Sequence, residues 1–325
     1  MTTGLLARNI YSRHKSYLFI AVKLLITAGI LYYLISYIDY SEIIYTLSEA
    51  NAFLITAAFF LSIVNVYLQF LKWKLTCNAI MSEDNNSKIL SSIFFGLSAG
   101  AITPLRIGEY FGRAIAFKNK PLLQVTTATL VDKFFPLIIV TFFGAISCLV
   151  FIYFKYDVSI FIVLPLFVVV FTLFYFLILI MRSKKFWENV FFERLRNSNR
   201  FNKFLIQLES LRNLDKKYAR LMTFISILFY ICFLCQYAIL VAAFSHNSNY
   251  LNYLWAGNLI IFVKTVIPQI SLGELGIREG ASVFFLTSFG ELSSVAFNAS
   301  IFIFIINILL PALVGVFLLF RKNHV

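Results

Sequence analysis

The feature that most constrains this chain is a series of apolar runs. A helix needs roughly 20 apolar residues to cross the hydrocarbon core of a bilayer. Six stretches meet that length, at 17–38, 52–71, 134–154, 159–181, 221–244 and 293–320. The fold class read from them is all-α, a polytopic membrane helical bundle, with residues 1–325 forming one integral membrane domain. Composition agrees, since 60% of residues are hydrophobic and only 13% are charged. A soluble domain keeps about a quarter of its residues charged, so lipid must cover most of this surface.

Arg8, Arg13 and Lys15 precede the first run. That run is too long for a signal-peptide core and no small-x-small cleavage site follows it, so it is read as an uncleaved first span. Two more apolar stretches are broken. Ile89–Ile102 is interrupted by Thr103-Pro104 before Leu105–Phe117, and Leu251–Ile267 by Pro268–Gly276 before Ile277–Phe289. Each leg of the first break rises only about 20 Å, against a core of about 30 Å. A re-entrant hairpin that enters and leaves by one face fits better than a crossing. Six full spans plus two such hairpins, or eight spans, give the same end points, and both stay open here.

The net charge of +13 would suggest nucleic acid in a soluble protein, but most basic residues flank the spans. With the N-terminus placed inside, the inner segments carry 21 Lys and Arg and the outer ones only Lys155. This positive-inside bias puts both termini in the cytoplasm of an inner-membrane protein. No nucleic-acid partner is expected. Segment 182–220 alternates apolar and basic residues at helical spacing, which predicts cytoplasmic amphipathic helices on the inner leaflet, or a docking segment for a partner.

Ionisable residues at membrane depth cost roughly 2.5–3.5 kcal/mol each on insertion scales and are functional candidates by default. They cluster at the two breaks. At the first, Arg106, Glu109 and Arg113 fall on one face if a helix starts at Thr103-Pro104. Glu109 precedes Arg113 by four residues, the favourable order for an ion pair. Arg106 would then occupy the first turn, where free N–H groups attract anions. Gly96, Gly100, Gly108 and Gly112 allow the legs to approach closely. The alternative is a structural Arg-Glu-Arg network that only holds the hairpin. At the second break, Gly273, Glu274 and Gly276 make an irregular turn before Arg278-Glu279, and Lys264 lies one turn before Pro268. Between the breaks, Asp132-Lys133 lies just before the 134–154 run; each is expected to pair with another element. Two Pro-broken hairpins in the two halves are what an inverted-repeat transporter shows, with both clusters meeting in one polar cavity.

Cys232-x-x-Cys235 lies mid-span without a second pair and reads as packing. The three histidines are far apart, and neither a metal site nor a cofactor is expected.

At these residues the chain resembles the lysylphosphatidylglycerol synthase transmembrane-region family of flippase-like membrane proteins. Pro104, Arg106, Gly108 and Glu109 match a Pro-x-Arg-x-Gly-Glu motif, with Arg113 one residue late. Gly273 or Glu274 through Gly276 and Glu279 match a later glycine turn, and Leu310-Pro311-Ala312-Leu313-Val314-Gly315 a closing run. Asp132-Lys133 stands where a Glu-Arg pair is usual, and Leu272-Gly273-Glu274 where Pro-Gly-Gly is expected, which makes that site less cationic. The resemblance implies translocation of a phospholipid or lipid-linked anionic envelope precursor. Arg106, Glu109, Arg113, Arg278 and Glu279 would bind the headgroup; Pro104, Gly108, Asp132, Lys133, Lys264, Gly273, Glu274 and Gly276 would support them. The chain ends soon after its last span, so a soluble synthase domain is not expected and neither is enzyme activity. A membrane transferase, or an accessory protein that recruits envelope-biosynthesis enzymes or a second copy, is the alternative.

Overall fold

The computed structural model describes residues 38–182, 215–267 and 275–323, with isolated positions between 28 and 36. The regular elements among the described residues are all helices, with no strand. In order they form α1 (Tyr40–Ser48), α2 (Ala52–Thr76), α3 (Asn86–Ile102), α4 (Gly108–Ala114), α5 (Leu122–Tyr156), α6 (Ile160–Arg182), α7 (Lys216–Ser245), α8 (Tyr250–Val266), α9 (Ile277–Ser288), α10 (Ser293–Phe304) and α11 (Leu310–Asn323). A π-turn at Cys77–Met81 extends α2, and another at Ile305–Leu309 joins α10 to α11.

Among the described residues five continuous helices are long and apolar enough to span a membrane: Ala52–Met81, Leu122–Tyr156, Ile160–Leu177, Lys216–Ser245 and Ser293–Arg321. They coincide with five of the six expected spans. The sixth, 17–38, falls largely outside the described residues, as does 183–214 of the expected amphipathic segment. Three spans run further than hydropathy indicates. Helix α5 begins at Leu122, so Asp132 and Lys133 lie inside it and not ahead of it. Helix α2 continues past Leu71 through Lys72 and Trp73, both buried, and α7 begins at Lys216. Charged side chains lower the local hydropathy without ending a helix when other helices supply their partners.

The element order repeats. A span (α2), a 17-residue leg (α3), a short leg (α4) and a span (α5) are followed, after α6, by a span (α7), a 17-residue leg (α8), a short leg (α9) and a span (α10–α11). A 17-residue helix reaches only about 26 Å. The leading spans α2 and α7 pack on each other, and each long leg packs on the other half's closing span, α3 on α11 and α8 on α5. Polar side chains join the halves: Gln236 donates to Ala58 O at 2.9 Å and exchanges hydrogen bonds with Asn307 at 2.6 and 3.2 Å. Ser62 donates to Ile306 O at 3.0 Å, a carbonyl five residues before Pro311, which has no N–H to offer it. Cys232 packs among these helices with its thiol toward Leu61 O.

Close approach makes the first hairpin. A Cβ on Gly108 would stand 2.4 Å from Ala99 O, and one on Gly112 2.4 Å from Phe95 O. Only glycine lets α4 lie against the α3 backbone. Gly112→Val should therefore lower stability by about 1–3 kcal/mol through overpacking. Gly280→Ala should be neutral or stabilising by up to about 1 kcal/mol, because nothing lies within 4 Å of its position in α9. Thermal melts of the two purified variants in detergent check the contrast.

Candidate functional site

The regular helix of the second leg starts at Gly108, four residues later than expected. Thr103 ends α3 with extended backbone, and Pro104–Arg106 forms a single 3-10 turn. Leu105 and Arg106 have φ of 51° and 54°, a left-handed conformation that no helix can propagate through. The Thr103 hydroxyl bridges the tip, donating to Ala99 O at 2.9 Å and accepting from Gly108 N at 2.7 Å. Arg106 thus lies outside the helix, and the expected first-turn dipole effect does not apply to it.

Four cations from three elements nevertheless converge on two carboxylates. Glu109 is contacted by Arg106 at 3.2 Å, Arg113 at 2.9 Å and Lys133 at 2.5 Å. Asp132 is contacted by Arg113 at 2.9 Å and Lys72 at 3.3 Å. Arg113 is the keystone, forked between the two acids with its guanidinium 4.4 Å from the Trp73 ring. Trp73 is fixed by a 2.6 Å hydrogen bond to Ser92. Asp132 and Lys133 are neighbours on α5 and yet enter the same network, the first from beneath and the second along its edge.

Lys72 has a second task. Pro136 sits inside α5 and lacks the N–H that would bond to the carbonyl four residues earlier. That carbonyl belongs to Asp132, and the Lys72 ammonium donates to it at 3.1 Å. Lys72 and Trp73 are the site residues that sequence reasoning missed. The available signal was Pro136, which leaves an orphan carbonyl at a charged position.

Exposure divides the network. The side chains of Lys72, Glu109, Arg113 and Asp132 are 3–5% exposed, whereas Arg106 is 21% and Lys133 33% exposed. These six groups by themselves carry a formal surplus of two positive charges, and the accessible ones among them, Arg106 and Lys133, are cations.

The second cluster is closed. Arg278 meets Glu279 at 2.6 Å and donates to Ser300 at 3.1 Å; Ser300 in turn donates to Glu279 at 3.1 Å. The other Glu279 oxygen accepts from Gly276 N at 2.5 Å, where φ is 94°. The Arg278 guanidinium lies 5.4 Å from the Phe304 ring. Arg278 and Glu279 are 2% and 0% exposed. This pair has equal and opposite charges, and α9 carries it against α10. Lys264 faces the Phe233 ring at 5.7 Å. Pro268, Gly273 and Glu274 lie outside the described residues, as does the side chain of Pro104. Among the described residues no group of three or more His, Cys, Asp or Glu side chains could hold a metal ion.

An all-α bundle with five membrane-length helices, and with ionisable residues gathered where two short-legged hairpins enter it, defines an integral membrane protein of the polytopic class. The model of the family described as "Lysylphosphatidylglycerol synthase TM region" matches residues 20–315, and the chain belongs to that family. The match takes in both hairpins and four of the five described spans, and ends within the fifth. No curated protein matches the chain.

Removing one acid from such a network leaves buried cations unopposed, at a cost of about 3–5 kcal/mol. Asp132→Asn should lower the melting temperature sharply. Lys72→Met in the same chain should restore part of the loss, because the two residues are coupled. A double-mutant cycle of thermal melts measures that coupling, and strict additivity would contradict the geometry.

Proposed function

We propose that this protein translocates an anionic lipid, either a phospholipid or a lipid-linked envelope precursor, with the headgroup held by Arg106 and Lys133. The observation that supports the reading is the exposure of the first network: of its six named members the two that reach the accessible edge, Arg106 and Lys133, are both cations. A phosphate arriving at this edge would neutralise the surplus and accept charge-assisted hydrogen bonds, which are shorter and roughly twice as strong as neutral ones. Glu109 would hold Arg106 and Lys133 in place and give way as the headgroup binds. Arg113 and Asp132, paired at 2.9 Å and buried, would set the geometry without touching the ligand.

Arg278 and Glu279 take a different part in this reading from the one expected of them. Their charges cancel within a sealed pair, so they would lock the second hairpin to α10 and leave the headgroup to the first. The repeated order of span, long leg, short leg and span supports an inverted repeat with the two hairpins entering from opposite faces. The basic-residue bias supports a reading in which both termini lie in the cytoplasm of an inner membrane. Reporter fusions after Val325 should be active only for a cytoplasmic reporter.

The partners in this reading are membrane lipids, and the protein itself makes or breaks no covalent bond. Translocation of fluorescent phosphatidylglycerol in proteoliposomes tests it. Arg106→Ala and Lys133→Ala should each reduce the rate at least about tenfold, a loss of roughly 1.4 kcal/mol, while the melting temperature stays near that of the wild type. Translocation unchanged in both variants would sink the site. A folded wild type that moves no anionic lipid would favour an accessory role in envelope assembly.

A further inference from the structure

A second cationic place lies on another face of α3. Helices α3 and α11 are in tightest contact at Gly315, where a Cβ would stand 2.2 Å from both Phe94 O and Ser98 Oγ. Ser98 locks the crossing by donating to Ala312 O at 2.6 Å. From there the start of α3 and the end of α11 splay apart and leave a cavity of about 380 Å³. Its floor is apolar, with Phe95 and Ala116 buried and Leu318 partly buried. Its rim is polar and exposed, with Ser87 and Lys88 from α3 and Arg321 from α11, and Ser91 lies half-buried below them.

Helical spacing explains the lining. Ser87, Ser91 and Phe95 recur every four residues and stack along one face of α3, while Leu318 and Arg321 are one turn apart on α11. The next residue, Gly96, turns to the other side, where a Cβ would press on Arg113 and Glu109. One helix thus serves the buried network with one face and this cavity with another. Among the described residues the ion pair of Lys88 is a long contact to Glu83, at 3.9 Å, and its side chain is 50% exposed, which suits it to meet a ligand.

We infer that this cavity binds the phosphate-bearing headgroup of an anionic glycerophospholipid at the membrane surface, as a site separate from the Arg106–Lys133 edge. Lys88 and Arg321 supply two positive charges, and Ser87 and Ser91 supply hydroxyl donors. Phe95, Ala116 and Leu318 receive the glycerol backbone and the first acyl carbons. The volume lies within the range of about 300–1,000 Å³ usual for small-ligand sites. The cavity opens beside Arg321, the last residue of the last apolar span, and basic residues at the end of a span suit contact with anionic headgroups. Free phosphate shares the charge but has no use for the apolar floor. The inference does not depend on transport.

The test is binding of dioctanoyl phosphatidylglycerol to the full-length protein in detergent, with dioctanoyl phosphatidylcholine and inorganic phosphate as comparison probes. The Lys88→Ala/Arg321→Ala pair removes the charges, and Ser91→Phe fills the cavity while keeping them. Both should weaken phosphatidylglycerol binding about tenfold, a change of roughly 1.4 kcal/mol, with phosphatidylcholine unaffected. The same losses of about tenfold should appear when both variants are made in the Arg106→Ala chain, so that failure here and failure of the transport reading can be told apart. Loss in the charge variant without loss in Ser91→Phe would mean general surface attraction and overturn the site. Loss only in Arg106→Ala would move the headgroup to the other network and overturn it as well. Competition by inorganic phosphate as effective as that by the lipid would overturn the lipid assignment. Size-exclusion profiles matching the wild type establish that each variant is folded.

Discussion

The structure depends on two buried carboxylates, Glu109 and Asp132, which between them hold four cations drawn from α2, the first hairpin and α5. A charge taken out of water costs several kcal/mol unless it is paired in good geometry. Arg113 makes the arrangement possible, because its planar fork reaches both acids at 2.9 Å while its face rests against Trp73. Lysine in its place could reach one acid but not both, and could not stack.

Backbone geometry prepares this network. Gly108 and Gly112 bring α4 against the α3 carbonyls, which sets Glu109 and Arg113 at the centre of the bundle. The left-handed Leu105 and Arg106 then turn the tip so that Arg106 lies at the edge. Pro136 leaves the Asp132 carbonyl without a helical donor, and Lys72 supplies one. The same side chain therefore neutralises a buried acid and repairs a helix. Cation surplus at the edge and charge balance in the interior follow from this layout.

The second hairpin shows what the same element order yields without the surplus. Arg278, Glu279 and Ser300 form a closed triangle beneath Phe304. Among the described residues, the first hairpin thus brings cations to an accessible edge, whereas the Arg278–Glu279 pair of the second is buried. A sequence cannot easily distinguish them, since Arg106-x-x-Glu109 and Arg278-Glu279 both read as an arginine beside an acid at a helix start.

The family, the helical membrane class, the two hairpins and most span positions were legible in the sequence, because apolar length and Pro-Gly breaks act locally. The Glu109–Arg113 pair was legible too, since residues four apart on a helix are neighbours. The beginning of α5 at Leu122 was not, because hydropathy reads the charges of Asp132 and Lys133 as a boundary and cannot see the partners that tolerate them. Nor was Lys72, which counts as a surface lysine until α2 is seen to carry it inward. The sequence by itself determined which segments enter the membrane and which charges go with them, as these follow from transfer energies along the chain. Only the tertiary structure decided which charges are buried against one another and which lie at an accessible edge, because pairing is settled by distances between helices far apart in sequence.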